Sequence, residues 1–108
     1  MLTNITDANF AQEVTNSALP VVLDFWAPWC GQCIMMSKVV DQFAEENKDK
    51  VKVCKVNADD VAAGSIVRKF SVTKLPTFVV TEKGNEINRL IGAVSKSSLA
   101  KAITSNND

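Results

Sequence analysis

The sequence predicts an α/β fold in which a central mixed sheet of about five strands is flanked by four helices. Three observations predict it. Through the first half, short apolar runs of strand character alternate with stretches of helical periodicity, which implies parallel crossovers. In the second half a strand–turn–strand signal implies an antiparallel pair, so the sheet is mixed. The length, 108 residues, suits one domain over 1–108 whose core needs neither a metal nor a structural disulfide.

Each element has its own signal. Thr6 caps a helix expected from Asp7 to Ser17, with Phe10 and Val14 one turn apart on its inner face. After Pro20, Val21-Val22-Leu23-Asp24-Phe25-Trp26 is a nearly continuous apolar run, suited to a central strand covered on both faces. A helix from about Cys33, or one turn earlier, to Asn47 carries Met36, Val39, Val40, Phe43 and Ala44 as its buried stripe. Val51 to Val56 reads as the next strand. Val61 to Phe70 reads as a weaker helix, because Gly64 and Ser65 have lower helix propensity. Pro76 opens a strand through Thr81, at the position where its missing N–H does least harm. Lys83-Gly84-Asn85 turns the chain and Glu86 to Ile91 pairs back. Ser95 or Ser97 starts a final helix with Leu99, Ala102 and Ile103 inward.

Composition narrows the function classes. Lys plus Arg balance Asp plus Glu at 12 each, which argues against a nucleic-acid binder or a polybasic membrane-surface protein. No run approaches the ~20 apolar residues of a membrane span. The first residues lack the basic and apolar stretches of a signal peptide, so a cytoplasmic location is expected. Three cysteines are too few, and of the wrong parity, for a secreted disulfide scaffold.

Two of those cysteines carry the chemistry. Cys30 and Cys33 stand where the central strand hands over to the helix. The first N–H groups of a helix are unpaired and carry the positive end of its dipole, so a thiolate placed there is stabilised. Three residues on, Cys33 lies on the same face of the first turn, within reach for a short-loop disulfide. An exposed attacking sulfur and a more sheltered resolving one are expected. A zinc site is excluded on ligand supply, since the chain has no histidine and only one other cysteine, Cys54. Haem attachment fails because Ile34, not histidine, follows Cys33. Asp24, a carboxylate inside an apolar strand, is expected to be desolvated, which raises its pKa and suits it to accept a proton near neutrality.

The segment Asp24-Phe25-Trp26-Ala27-Pro28-Trp29-Cys30-Gly31-Gln32-Cys33 resembles the active-site segment of the thioredoxin family with one internal change. Val56-Asn57-Ala58-Asp59, Leu75-Pro76-Thr77-Phe78, Lys83-Gly84 and Ile91-Gly92-Ala93 match further family motifs in order and spacing across nearly the whole chain. The resemblance implies the thioredoxin fold and protein-disulfide reduction, with Cys30 as nucleophile and Cys33 as resolving thiol. It implies that Pro76 is a cis-proline facing the cysteines, that Asp24 lies beneath the resolving cysteine, and that the Lys55 ammonium lies near that aspartate. Trp29, Gly31, Gln32, Leu75, Pro76, Gly92 and Ala93 are implied to form the substrate-docking surface. No bound cofactor is implied. Electrons would come from NADPH through a flavoprotein thioredoxin reductase, the chain itself carrying no dinucleotide fingerprint. The expected partners are that reductase and protein disulfides, and the expected state is a monomer.

Three residues depart from the family pattern. Gln32 replaces proline between the cysteines, adding a backbone donor near the thiolate and predicting a more oxidising couple. Ile34 replaces a common lysine, which removes a nearby positive charge and acts the other way. Lys38 replaces a helix-kinking proline, so the helix is expected to run on with a smaller bend. Cys54 is expected to be a small buried hydrophobe. Two alternatives stand beside the reductase reading: a disulfide oxidant or isomerase, for which Gln32 leaves room, and a redox-independent scaffold subunit that binds through its apolar patch.

Overall fold

The computed structural model describes residues 2–104. Strands β1 (Thr3–Asn4), β2 (Val21–Trp26), β3 (Lys52–Asn57), β4 (Thr77–Glu82) and β5 (Asn85–Ile91) form one sheet in the order β1-β3-β2-β4-β5. β1 and β2 both run parallel to β3, whereas β4 is antiparallel to β2 and to β5. A π-helical segment (Ala11–Thr15), helix α1 (Gly31–Glu46), a 3-10 turn (Val61–Ala63) leading into α2 (Gly64–Lys69), and α3 (Lys96–Ala102) cover the sheet. The α/β architecture with a mixed five-stranded sheet is the one expected.

The period of two along each strand assigns side chains to the two faces. Val21, Leu23 and Phe25 of β2 join Cys54 and Val56 of β3 in a core that includes Val14, Ile66 and Phe70. Val22 and Val53 join the opposite core, built from Met36, Val40 and Phe43 of α1 and from Leu99 and Ala102 of α3. By the same alternation Asp24 and Lys55 belong to the α1 side. They are also direct neighbours in the β2–β3 register. The position of these two charged groups beneath α1 is therefore set by strand phase alone.

Two sequence expectations need correction. The helix expected from Asp7 to Ser17 shrinks to Ala11–Thr15, where Asn16 N–H reaches back five residues to Ala11 O at 2.9 Å. Ahead of it Phe10 N–H still bonds Thr6 O at 3.1 Å, while Asn9 Oδ1 accepts from Thr6 N–H and Asn9 Nδ2 donates to Asn4 O, both at 2.9 Å, which ties the start of this segment to β1. Thr6 Oγ1 accepts only from Ala8 N–H, at 3.3 Å. The second correction is β1, which the pattern did not mark as a strand. It supplies the fifth strand by pairing Thr3 with Cys54 and Asn4 with Lys55.

Other boundaries follow local chemistry. Asp60 Oδ1 accepts from Ala62 N–H at 2.9 Å and starts the 3-10 turn, and Ser95 Oγ accepts from Ser98 N–H at 3.1 Å and starts α3. α1 runs unbroken past Lys38 for 16 residues. Lys83 (φ 54°) and Gly84 (φ 85°) make a two-residue hairpin turn with both φ values positive, the turn whose twist matches paired strands. A Cβ at position 84 would also stand 3.0 Å from Thr15 Oγ1. Gly84→Ala is accordingly expected to destabilise the chain by about 1–2 kcal/mol, read as a lower urea midpoint at unchanged m-value. An unchanged midpoint would show that the turn carries no such demand.

Candidate active site at the start of helix α1

The site is built where β2 ends. Cys30 N–H bonds Ala27 O at 3.1 Å, turning the chain from strand to helix, and Cys30 is the N-cap of α1 with extended φ/ψ of −89° and 106°. Its Sγ accepts from Cys33 N–H at 3.2 Å. The cap position that Ser or Asp usually fills is thus filled by sulfur, so an orphan helix donor is aimed at that atom. Cys30 and Cys33 are joined as a disulfide with their Cα atoms 5.3 Å apart. The expected contrast in exposure is slight in this oxidised state, at 8% for Cys30 and 6% for Cys33, because both sulfurs pack with Ala27 against Trp26 and Leu75.

Asp24 is 4% exposed. Burial raises its pKa from 3.8 to about 6; Lys55 pulls the value down and Asp41 on α1 pushes it up. Desolvation outweighs the nearby cation, so the carboxyl exchanges its proton close to neutral pH. The Lys55 ammonium lies over the Trp26 ring, 4.6 Å from its centroid. Trp26 Nε1 is buried with no hydrogen-bond partner among the described residues. Trp26 therefore connects Lys55 to the cysteine cluster. Its place two residues after Asp24 on the same strand face was the available signal.

Around the disulfide, Trp29 is 69% exposed, and Gly31, Gln32 and Ala93 are exposed as well. A Cβ at Gly31 or at Gly92 would meet nothing within 4 Å, although Gly92 has φ +93°. The Leu75–Pro76 peptide is cis. Pro76 is buried, and its carbonyl accepts from Gly92 N–H at 2.8 Å, which ties the two loops together. Leu75, half-buried, packs on the cysteines. Sequence reasoning treated Ile34 only as a lost charge and did not single out Met35. Both are exposed apolar residues, Met35 at 78%, in the turn after Cys33. Their phase, off the Met36–Val40–Phe43 stripe, was legible in the helical spacing.

Cys54 is fully buried in β3, and burial pushes its thiol up to about 11, against a lowering by Lys52 and with a further rise from Glu13. A neutral, enclosed thiol is inert.

Comparison with known proteins agrees with this geometry. The thioredoxin family model matches residues 1–105. The chain belongs to the thioredoxin family. The thioredoxin of Pyropia yezoensis is 45% identical over 102 residues, covering 94% of each chain. Thioredoxin 1 of Synechococcus elongatus is 42% identical over 99 residues, 92% of this chain and 91% of the relative. The thioredoxin of Haemophilus influenzae is 42% identical over 100 residues, 93% of this chain and 92% of its own. Family membership and the Cys30–Cys33 pair together identify a thiol–disulfide oxidoreductase with the thioredoxin fold. Among the described residues no helix is long and apolar enough to cross a membrane.

Proposed function

We propose that this thioredoxin-family chain reduces protein disulfides by dithiol–disulfide exchange, and that it acts as one domain over 1–108, as a monomer, in the cytoplasm. The observation that carries the reading is a cysteine pair at a helix start whose sulfur receives a helix N–H, and the buried carboxyl of Asp24 on the strand that leads into it, with a pKa raised to about 6, supports it.

The Cys30 thiolate attacks one sulfur of a substrate disulfide. The substrate S–S bond breaks, a mixed disulfide forms, and the departing substrate thiolate takes up a proton. Cys33 then passes its proton to the Asp24 carboxylate, directly or through water, and its sulfur attacks Cys30 Sγ. The second substrate thiolate leaves and Cys30–Cys33 is oxidised, so two electrons have moved to the substrate. Lys55 favours the Asp24 carboxylate and with it the proton-accepting state. Trp29, Gly31, Gln32, Leu75, Gly92 and Ala93, with Pro76 beneath them, offer a low, largely apolar surface for an extended substrate segment. Among the described residues neither the N–H nor the C=O of Leu75 has a hydrogen-bond partner, which suits pairing with such a segment. Reduction of the spent disulfide by NADPH through a flavoprotein thioredoxin reductase would reset the cycle; NADPH and flavin belong to that partner. The direct test is insulin-disulfide reduction coupled to NADPH and a thioredoxin reductase. Absence of turnover with an active reductase and with dithiothreitol would overturn the proposal.

Gln32 tunes the couple. It is exposed in the first turn of α1 and brings a backbone N–H that proline lacks, which stabilises the reduced form and raises the potential. Gln32→Pro is expected to have a lower potential by roughly 30 mV, the equivalent of about 1.4 kcal/mol, in a glutathione titration. An equal or higher potential in the proline variant would remove Gln32 from this role.

A further inference from the structure

Among the described residues the large apolar side chains that stand exposed are Trp29, Ile34, Met35, Val61 and Ile91. The sheet register places all of them at one end of the molecule. Trp26 pairs with Asn57 at the close of β2 and β3, and Thr77 at the opening of β4 lies between Phe25 and Ile91. Trp29 and Val61 are on the connections that leave β2 and β3 there, Ile91 ends β5, and Ile34 and Met35 directly follow Cys33 at the start of α1. The opposite end, at the α1–β3 and β4–β5 connections, exposes Lys48, Asp49, Lys50, Glu82 and Lys83 instead. A single exposed apolar residue is ordinary, but a set gathered at the one end that carries the redox disulfide marks a docking surface.

The set is also wide. α1 packs Met36, Val40 and Phe43 into the core on one face of the sheet, whereas Ala63 and Ile66, just after Val61, belong to the core on the other. Met35 and Val61 therefore stand on opposite sides of the sheet, with the strand that leads to Cys30 between them. Packed layers lie roughly 10 Å apart, so this surface is broader than one extended strand, which takes up only about 5 Å. Val61 is also held outward. Asp60 Oδ1 accepts from Ala62 N–H at 2.9 Å, Ala63 N–H bonds Asp60 O at 2.9 Å and Ala63 is buried, so the turn is fixed around a side chain that is 95% exposed.

We propose that Val61 and Met35 are specificity-determining contacts for protein substrates: two outer apolar footholds, on opposite sides of the sheet end, that engage an apolar surface around the disulfide of a folded protein. A small disulfide, or one short extended segment, reaches Trp29, Leu75 and Gly92 without touching both footholds. The inference rests on the reading of Cys30 as the nucleophile for protein disulfides. That chemistry supplies the occupant, because a partner must cover this end of the molecule to bring its sulfur to Cys30.

The test mixes the reduced full chain with insulin or with glutathione disulfide in single turnover, without a reductase, for the parent, Val61→Ser, Met35→Ser, the double variant and Val61→Ile. Both positions are exposed, so the substitutions leave the core intact. Each change to serine is expected to slow insulin reduction roughly three- to tenfold, as suits the loss of one apolar contact, and the double variant by the product of the two. The rate with glutathione disulfide should not move, and Val61→Ile should keep the insulin rate. An equal slowing with glutathione disulfide overturns the proposal, since it would place the effect in the cysteines or the fold. A double variant no slower than the slower single variant overturns docking on both sides. A parent that reduces insulin no faster than its serine variants overturns this proposal alone; a parent that reacts with glutathione disulfide and not with insulin overturns it together with the reading of the chain as a protein-disulfide reductase.

Discussion

Cys33→Ser is expected to turn a catalyst into a trap. The Cys30 thiolate still attacks, because the helix start that favours it and the Cys33 main-chain N–H that donates to its sulfur are untouched by a side-chain change. Nothing then attacks Cys30 Sγ, and covalent adducts with protein disulfides persist until dithiothreitol releases them. Cys30→Ser forms no such adducts. Insulin turnover in both variants should fall at least about a thousand-fold, since the two sulfurs act as one unit and neither alone completes the exchange. Non-reducing electrophoresis of each variant after incubation with a disulfide-rich protein reads the difference. If the double substitution left a stable partner complex unchanged, the chain would be acting as a scaffold.

Asp24→Asn is expected to stabilise the chain and slow its chemistry. The carboxyl ionises near pH 3.8 when solvated and near pH 6 when folded, so between those values the native state binds the extra proton. Stability from this group is complete below about pH 4, falls as pH rises, and is lost above about pH 6, where a charge sits in a site that is 4% exposed. Asparagine keeps a similar shape without that charge. The variant and parent unfolding free energies should therefore meet near pH 4 and differ at pH 7, with the variant ahead by up to about 3 kcal/mol. The same variant lacks the proton acceptor for Cys33, so mixed disulfides should resolve more slowly at pH 7 and recover as pH rises toward the intrinsic range of a thiol. Equal stability at pH 7 would mean that water or a neighbour already compensates the carboxylate. Such a stability gain paired with a rate loss is the pattern of a site held ready for function.

Much of this site was legible in the chain, and the reasons are local. The apolar run before Cys30, the helical stripe after it and the spacing of the two cysteines involve interactions within a few residues. They placed the nucleophile at a helix start and the carboxyl in a central strand without any tertiary information. The Lys83-Gly84 turn and the Ser95 cap were legible for the same reason, since turn and cap chemistry are written in the residues that perform them.

What the tertiary structure alone decided lies wherever the partner is distant in sequence. β1 is two residues long, too short to show a period, and exists because β3 offers it an edge some fifty residues away. Asn9 ties the start of the first helical segment back to Asn4 and Thr6, side-chain contacts that helical periodicity does not show. Pro76 is held to the distant Gly92 by a main-chain hydrogen bond that no local pattern shows. Thus the sequence by itself determined which groups react and on which elements they stand. The direction of the Asp24 shift was readable from its place in an apolar strand, but its size and the shape of the surface around the cysteines came from packing, because the extent of desolvation is a property of the assembled layers.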